Sequence, residues 1–352
     1  MPYKIGLVGL PNVGKSSLFN FLTKKDILIA NYPFATIDPN VGVMVLADPR
    51  LEKLSKYYQS QKTTPSTIEI IDIAGLVKGA SQGSGLGNEF LSHIREVDLI
   101  CHVLRCFSEK EVIHVEKTVD PIRDYEIIQL ELIFADLQQV KKKLDKFKSR
   151  DENSQKEKAL LQLIQENLEK ETLISQINLK EEEEKLIKSY NFLTNKPFFL
   201  LTNFSGEQAE IKNLENYAKK NNLPFFPLAI KLEKEMENLS AAEKAEIGWS
   251  STDFSFLTKE IKELLKLKTF FTVGKDETKS WLAKSEEKAR ECAGLIHSDI
   301  EKNFIRAETY NYTDWLQLPG KEELKKTGKI RSEGVNYLIK EGDICYFLFG
   351  KN

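Results

Sequence analysis

The chain has 352 residues, 41% of them hydrophobic, enough for two or three domains that bury real cores. Lys and Arg total 51 against 53 Asp and Glu, so the formal charge of −2 excludes a global field drawing the whole molecule to nucleic acid or membrane; any such binding must be local. The opening MPYKIGLVGL breaks its short apolar run with Gly and Pro, which does not read as a signal peptide or membrane span and makes a cytoplasmic, membrane-free protein the expectation.

The first predicted element is an apolar strand, Ile5 to Leu10, which runs into Gly9-Leu10-Pro11-Asn12-Val13-Gly14-Lys15-Ser16 and then into an amphipathic helix carrying Leu18, Phe19 and Leu22. This is G-x-x-x-x-G-K-[ST] in the strand and helix context that a polyphosphate site requires. Gly9 and Gly14 let successive backbone N–H groups face an anion, and the helix N-terminus adds its partial positive charge. The expected nucleotide cradle is Asn12, Val13, Gly14, Lys15, Ser16 and Ser17. Lys15 supplies a point charge at the β/γ-phosphates, and the Ser16 hydroxyl is a Mg²⁺ ligand.

Two further segments complete a hydrolytic site. NYPFATIDPN, residues 31–40, is a Pro-punctuated loop in which Thr36 is placed to complete the Mg²⁺ shell. TIEIIDIAGL, residues 67–76, ends an apolar strand in D-x-x-G: Asp72 is expected to hold the metal through water and the Gly75 N–H to bond the γ-phosphate. Leu76 stands where Ras-like enzymes carry the glutamine that orients water, and a leucine makes no hydrogen bond, so slow intrinsic turnover is expected. The Gly- and Ser-rich KGASQGSGLGN, residues 78–88, should order only with nucleotide.

DLICHVLRCF reads as a buried strand in which Cys101 and Cys106 are small core thiols and His102 a packed imidazole; His93, in a similar apolar context, reads the same way. From about Tyr125 to Tyr190 the period is helical. Leu130, Ile133, Leu137, Val140, Leu144 and Phe147 recur at three- and four-residue steps, SRDENSQKEK interrupts, and Leu161, Ile164 and Leu168 resume, the pattern of two antiparallel helices paired as a coiled coil. Lys141 to Lys143 and Glu181 to Glu184 read as solvated faces.

NKPFFLLTN is the next buried strand, and its end at Asn203 falls where GTPases carry N-K-x-D. Guanine recognition needs an Asp three residues on; this chain has Gly206 there, and Glu207 comes one position late. The Asn203 amide can accept from an exocyclic amine while donating to N7, the pairing that adenine presents, so ATP is favoured over GTP. PLAIKLEKE, residues 227–235, reads as another strand and loop closing the domain. After about Lys268 the pattern changes to short β-like runs (TFFTV, NFIRAETY, VNYLIK, DICYFLF) around one helix, SEEKARECAGLIHSDIEKN, which fits a small β-grasp module. Lys302, Arg306, Lys325, Lys326, Lys329 and Arg331, beside Phe304 and Tyr310, are set against nearby glutamates as either a basic face or a mixed solvated surface.

Taken together, GLPNVGKSS, NYPFATIDPN and DIAGLVKGASQGSGLGN resemble the YchF subfamily of Obg-like ATPases, and the similarity extends through HVLRCF, IHV, IHSDIEKNFIRAE and GDICYFLF over nearly the whole chain. The resemblance implies an α/β P-loop NTPase domain (1–124 and 191–267) interrupted by a helical coiled-coil arm (125–190) and followed by a β-grasp, TGS-like domain (268–352). It implies ATP hydrolysis with Mg²⁺, a K⁺ ligand at Asn12, a water-positioning role for His114, and a backbone contact from Phe204 to the nucleotide. The partners it implies are a ribosome or ribosomal subunit, with RNA met through the arm and the TGS-like domain. The rival readings are an Obg-type GTPase and a nucleotide-gated binding module with negligible hydrolysis.

Overall fold

The structure is a computed structural model and describes residues 2–24, 40–73, 85–108, 118–147, 151–205, 211–237, 239–247 and 254–350. Thr36, Gly75, Leu76, His114, Gly206 and Glu207 lie outside the described residues, as does most of KGASQGSGLGN. The described strands are β1 (Lys4–Val8), β2 (Val41–Val45), β3 (Lys62–Thr64), β4 (Thr67–Asp72), β5 (Leu99–Cys106), β6 (Phe198–Phe204), β7 (Phe225–Leu228), β8 (Leu267–Thr272), β9 (Glu277–Lys284), β10 (Phe304–Asn311), β11 (Arg331–Glu333) and β12 (Asp343–Phe349). The helices are α1 (Lys15–Lys24), α2 (Pro49–Tyr58), α3 (Gly85–Glu96), α4 (Pro121–Asp145), α5 (Glu152–Leu168), α6 (Glu181–Ile187) and α7 (Lys212–Lys220). They continue with α8 (Ile230–Glu237), α9 (Ala241–Glu246), α10 (Phe254–Leu264), α11 (Ala289–Ile296), α12 (Ser298–Lys302), α13 (Tyr312–Gln317) and α14 (Lys321–Lys326). None of these helices is long and apolar enough to cross a membrane. The chain divides into two compact units, residues 1–44 with 68–252, and residues 45–67 with 253–352.

The first unit is built on a sheet of order β2-β4-β1-β5-β6-β7. From β4 to β7 the pairings are parallel. Their near-continuous apolar runs suit strands covered on both faces, and every residue of β5 is buried. After β1 the chain goes first to one side of it (β4) and later to the other (β5). That reversal makes the C-terminal end of β1 a topological switch point, the place where open α/β sheets bind ligands.

Helices α4 to α6 lie between the neighbouring strands β5 and β6. The root of α4 belongs to the sheet's own core, with Tyr125 among Leu104, Leu200 and Leu214. Farther along, Ile133 and Val140 share a second core with Leu161, Ile164 and Leu168, closed by Ile174, Ile187 and Phe192. Each such fully buried aliphatic side chain contributes about 1.5–3 kcal/mol. The expected helix pair is present, but α5 starts inside the interrupting segment, capped by Asp151, which accepts from Ser154 N at 3.0 Å. Glu181 to Glu184 form the acidic first turn of the additional helix α6, where they meet the positive end of its dipole. At the insertion's return, buried Asp136 accepts from Leu193 N (3.0 Å), Thr194 N (2.8 Å) and Thr194 Oγ1 (2.8 Å), with Arg95 Nη1 at 3.6 Å. Burial pushes this carboxyl up, and the hydrogen bonds and Arg95 oppose that shift.

The second unit carries a sheet of order β11-β10-β12-β8-β9-β3. β8 and β9 form an antiparallel hairpin, β12 runs parallel to β8 in the middle, and β10 is antiparallel to β12, which is a β-grasp arrangement. One face packs on α11 through Ala289, Cys292 and Ala293; the other is covered by α2, α13 and α14 through Leu51, Leu54, Trp315 and Leu324. This unit differs from the expected 268–352 in taking residues 253–267 and the excursion 45–67. ETKSWLAK forms β9, whereas the apolar-looking VNYLIK contains no strand; the short β11 precedes it. The expected single helix breaks at His297, whose backbone is extended and whose Nδ1 accepts from Asp299 N to cap α12. Tyr310 is only 4% exposed and is bonded to Tyr58 through the hydroxyls at 2.8 Å, so it does not belong to the expected open aromatic face. Phe304 is partly buried against the α11 core. Of the basic residues beside them, Lys326, Lys329 and Arg331 are paired with Glu323, Asp314 and Glu333.

Candidate functional site

A cleft of about 670 Å³ opens at the ends of β1 and β6 in the first unit. Asn12, Gly14, Lys15, Ser16 and Ser17 line one side, Asn203, Phe204 and Ser205 another, and α8 a third. The loop that forms its floor is shaped by two glycines. Gly14 has φ +100°, and a Cβ there would lie 2.4 Å from Asn203 Nδ2; a Cβ on Gly9 would lie 2.6 Å from the Val103 carbonyl oxygen of β5. Asn12 takes a left-handed φ of 63°, which asparagine tolerates better than most residues. The buried Val13 side chain anchors the loop from below.

Lys15 is 7% exposed, and its Nζ donates to the carbonyls of Gly9 and Leu10, each at 3.0 Å. Burial lowers its pKa to about 8, against the raising effect of the Asp72 charge. At the start of α1, Ser16 Oγ donates to Asp72 Oδ2 at 2.6 Å, and the Asp72 N–H donates to the Asn40 carbonyl at 2.9 Å. A hydroxyl and a carboxylate converging beside an ammonium make a hard oxygen donor pair of the kind Mg²⁺ takes. Among the described residues no group of three His, Cys, Asp or Glu side chains converges.

Asn203 sits at the end of β6, 8% exposed, and its Nδ2 donates to the Val13 carbonyl at 3.2 Å. This is compatible with the expected adenine pairing. The amide nitrogen carries two N–H donors, so with one held by the loop the second N–H and the amide oxygen are left for a base.

Two parts of the cleft went unread in the sequence. Phe107 lines it just beyond β5, with the buried Arg105 guanidinium 4.4 Å from its ring centroid and Arg105 Nε donating to the Phe107 carbonyl at 3.1 Å. KLEKE is not a loop but part of α8, which brings Ile230, Lys231, Leu232, Lys234 and Glu235 to the wall. The position of Phe107 at the C-terminal end of a strand beside β1 was the available signal. His102 is the packed imidazole expected: it is fully buried, with Nε2 3.1 Å from Gln129 Nε2, and burial lowers its pKa to about 3. His93, by contrast, is exposed on α3. All four cysteines are buried and outside any disulfide, and burial drives the Cys101 thiol far up.

Comparison with known proteins places this geometry among relatives. A family model described as "50S ribosome-binding GTPase" matches residues 4–135, and the model YchF-GTPase_C, described as "Protein of unknown function (DUF933)", matches residues 267–350. The Ribosome-binding ATPase YchF of Bacillus subtilis (strain 168) is 43% identical over 364 residues, covering 99% of this chain and 100% of the relative. The protein of the same name from Escherichia coli O157:H7 is 39% identical over 361 residues, covering 99% of each. Among solved structures, the Schizosaccharomyces pombe YchF GTPase superposes with a TM-score of 0.87 at 34% identity, covering 98% of this chain and 97% of that one.

Proposed function

This chain belongs to the YchF family, and from that membership we propose that it is a Mg²⁺-dependent ATP hydrolase whose nucleotide state switches a ribosome-associated role. The observation that carries the choice of nucleotide is the Asn203 amide in the cleft wall, steadied by its bond to the Val13 carbonyl, with no Asp three residues on. With one N–H held by the loop, the amide keeps its second N–H and its oxygen for the base. The oxygen accepts from the six-position amine of adenine while the remaining N–H donates to N7. Gly206, three residues beyond Asn203, has no carboxylate with which to reverse that preference.

The chemistry is positioning and charge stabilisation around the β- and γ-phosphates. Lys15 gives its charge to the phosphate oxygens, exchanging the loop carbonyls it now holds for a stronger partner. Ser16 would hold Mg²⁺ directly and Asp72 through water, with Thr36 as a further ligand, and the ion when bound would neutralise charge on the β- and γ-phosphates. In this reading the Gly75 N–H senses the γ-phosphate, Asn12 holds K⁺, His114 orients the water in place of the glutamine that Leu76 replaces, and Phe204 meets the nucleotide through its backbone. The ribosomal role rests on the names of the relatives. RNA contact through the helical insertion or the TGS-like unit belongs to the same proposal.

Competitive calorimetric titration of Mg-ATP and Mg-GTP tests the base preference: tighter ATP binding is expected, and saturation by GTP alone refutes it. Single-turnover phosphate release with K⁺ and with Na⁺ separates the hydrolase from a binding module that barely turns over. Co-sedimentation with ribosomal subunits in ATP-analogue, ADP and nucleotide-free states tests the switch.

A further inference from the structure

Residues 45–67 leave the nucleotide-site sheet between β2 and β4 and are built into the second unit. Their attachment there is extensive. Helix α2 buries Leu51 and Leu54 in a core with Phe271, Tyr310 and Ile344. β3 adds a parallel strand to β9, with Lys62 opposite Glu277 and Thr64 opposite Lys279. Arg50 Nη2 is held by Asp48 at 2.7 Å and by Glu341 at 2.5 Å, and Glu341 also accepts from Thr269 N at 2.7 Å and Lys262 Nζ at 3.1 Å. The excursion is therefore part of the second unit's fold and not a surface loop of the first.

Both of its ends run to one carboxylate. β4, six residues long, terminates at Asp72, the acceptor of the Ser16 hydroxyl. β2, five residues long, starts just after Asn40, whose carbonyl takes the Asp72 N–H at 2.9 Å. Met44 on β2 and Ile68 and Ile70 on β4 are buried, and close-packed strands pass on a displacement instead of absorbing it.

We propose that residues 45–67 transmit the state of the phosphate site to the second unit: a change at Ser16 and Asp72 acts along β2 and β4 on α2, β3 and their anchors, and a partner gripping the second unit acts back on nucleotide affinity by the same two strands. The inference rests on the reading of the cleft as a nucleotide site. Linkage requires the effect to be reciprocal, so loosening the excursion in the second unit must alter nucleotide affinity although no substituted residue touches the cleft.

The test uses the full chain, with hydrogen exchange read by mass spectrometry in nucleotide-free, Mg-ADP and Mg-adenylyl-imidodiphosphate states, and affinities by calorimetry. In the wild type, exchange in residues 45–67, β9 and β12 should differ between the two nucleotide states. Arg50→Ala should leave the response of β4 in place, erase that of β9 and β12, and change the ratio of the two nucleotide affinities by at least about 5-fold. Glu341→Gln keeps the side-chain shape and serves where Arg50→Ala unfolds the second unit. Nucleotide that binds with measurable heat and protects residues 9–16, yet leaves exchange in 45–67 and 267–350 identical in all states, overturns the inference alone. Absence of any binding heat overturns the nucleotide reading and the inference with it.

Discussion

Replacing Gly14 by alanine places a methyl carbon 2.4 Å from Asn203 Nδ2 on a backbone with φ +100°. The left-handed backbone costs an L-residue about 1–3 kcal/mol. Expelling the amide also breaks its 3.2 Å bond to the buried Val13 carbonyl, a loss of about 1–2 kcal/mol. Because the loop conformation is what cradles the anion, the combined cost should appear as lost nucleotide affinity, on the order of 10²–10³-fold for Gly14→Ala. Asn203→Ala alone loses the bond to Val13 and the base-facing oxygen, about 10-fold. In the double variant the methyl has room and the bond is already gone, leaving only backbone strain to be added. The two lesions should therefore be less than additive by about 1–2 kcal/mol, or roughly 10-fold in the dissociation constant. Titrating Mg-ADP into the four proteins by calorimetry closes the cycle. A double-variant affinity equal to the product of the single losses, within about 2-fold, would mean that Gly14 and Asn203 do not share that volume and that the base-facing geometry assigned to Asn203 is wrong.

Asp136→Ala leaves three buried donors, Leu193 N, Thr194 N and Thr194 Oγ1, without their acceptor, and should cost about 3–5 kcal/mol, read as a lowered unfolding midpoint of the first unit; a loss under ~1 kcal/mol counts against the buried lock. Ser16→Ala removes the hydroxyl donor to Asp72, so the ratio of ATP affinities with Mg²⁺ and with EDTA should collapse toward unity, and an unchanged ratio places the metal elsewhere. Lys15 has a folded pKa of about 8 against an ordinary 10.5, so between those values the unfolded chain binds more protons and stability rises with pH. Nucleotide-free wild type should accordingly gain roughly 2 kcal/mol relative to Lys15→Met between pH 7.5 and 9.5, and a flat difference would show that the ammonium is not buried as described.

What could be read from the sequence divides by the range of the interactions involved. The phosphate loop was legible because its demands are local: Gly9, Gly14, Lys15 and Ser16 are fixed by the turn from β1 into α1, within eight residues. Asp72 was legible for a related reason, since D-x-x-G closes the strand parallel to β1. The seam of α4 and α5 was legible because helical period reports burial directly, whereas α6, with four glutamates in its first turn, shows a polar face and little period. The direction of the Asn203 amide was not legible, because its partner is a backbone carbonyl 190 residues away that carries no sequence signature. Phe107 read as core because it continues an apolar strand, and only the strand order puts its end at the switch point.

The excursion 45–67 marks the limit of such reading most clearly. β3 is KTT, three polar residues that carry no alternation, and it exists because β9 offers it an edge more than 200 residues later in the chain. Its neighbour α2 has a legible amphipathic pattern, an Asp48 cap and a proline at its first position, so a helix there was predictable from local chemistry. What local chemistry does not reveal is the owner of its buried face. Leu51 and Leu54 would satisfy any apolar surface, and Arg50 beside them adds a directional contact: its guanidinium meets Glu341 and lies 5.1 Å from the Phe271 ring centroid. Hydrophobic burial supplies most of the energy at this contact but little direction. The strands on either side of the excursion are the ones that reach Asp72. Under the proposed coupling, Arg50 is the anchor in the second unit whose removal should be felt at Asp72.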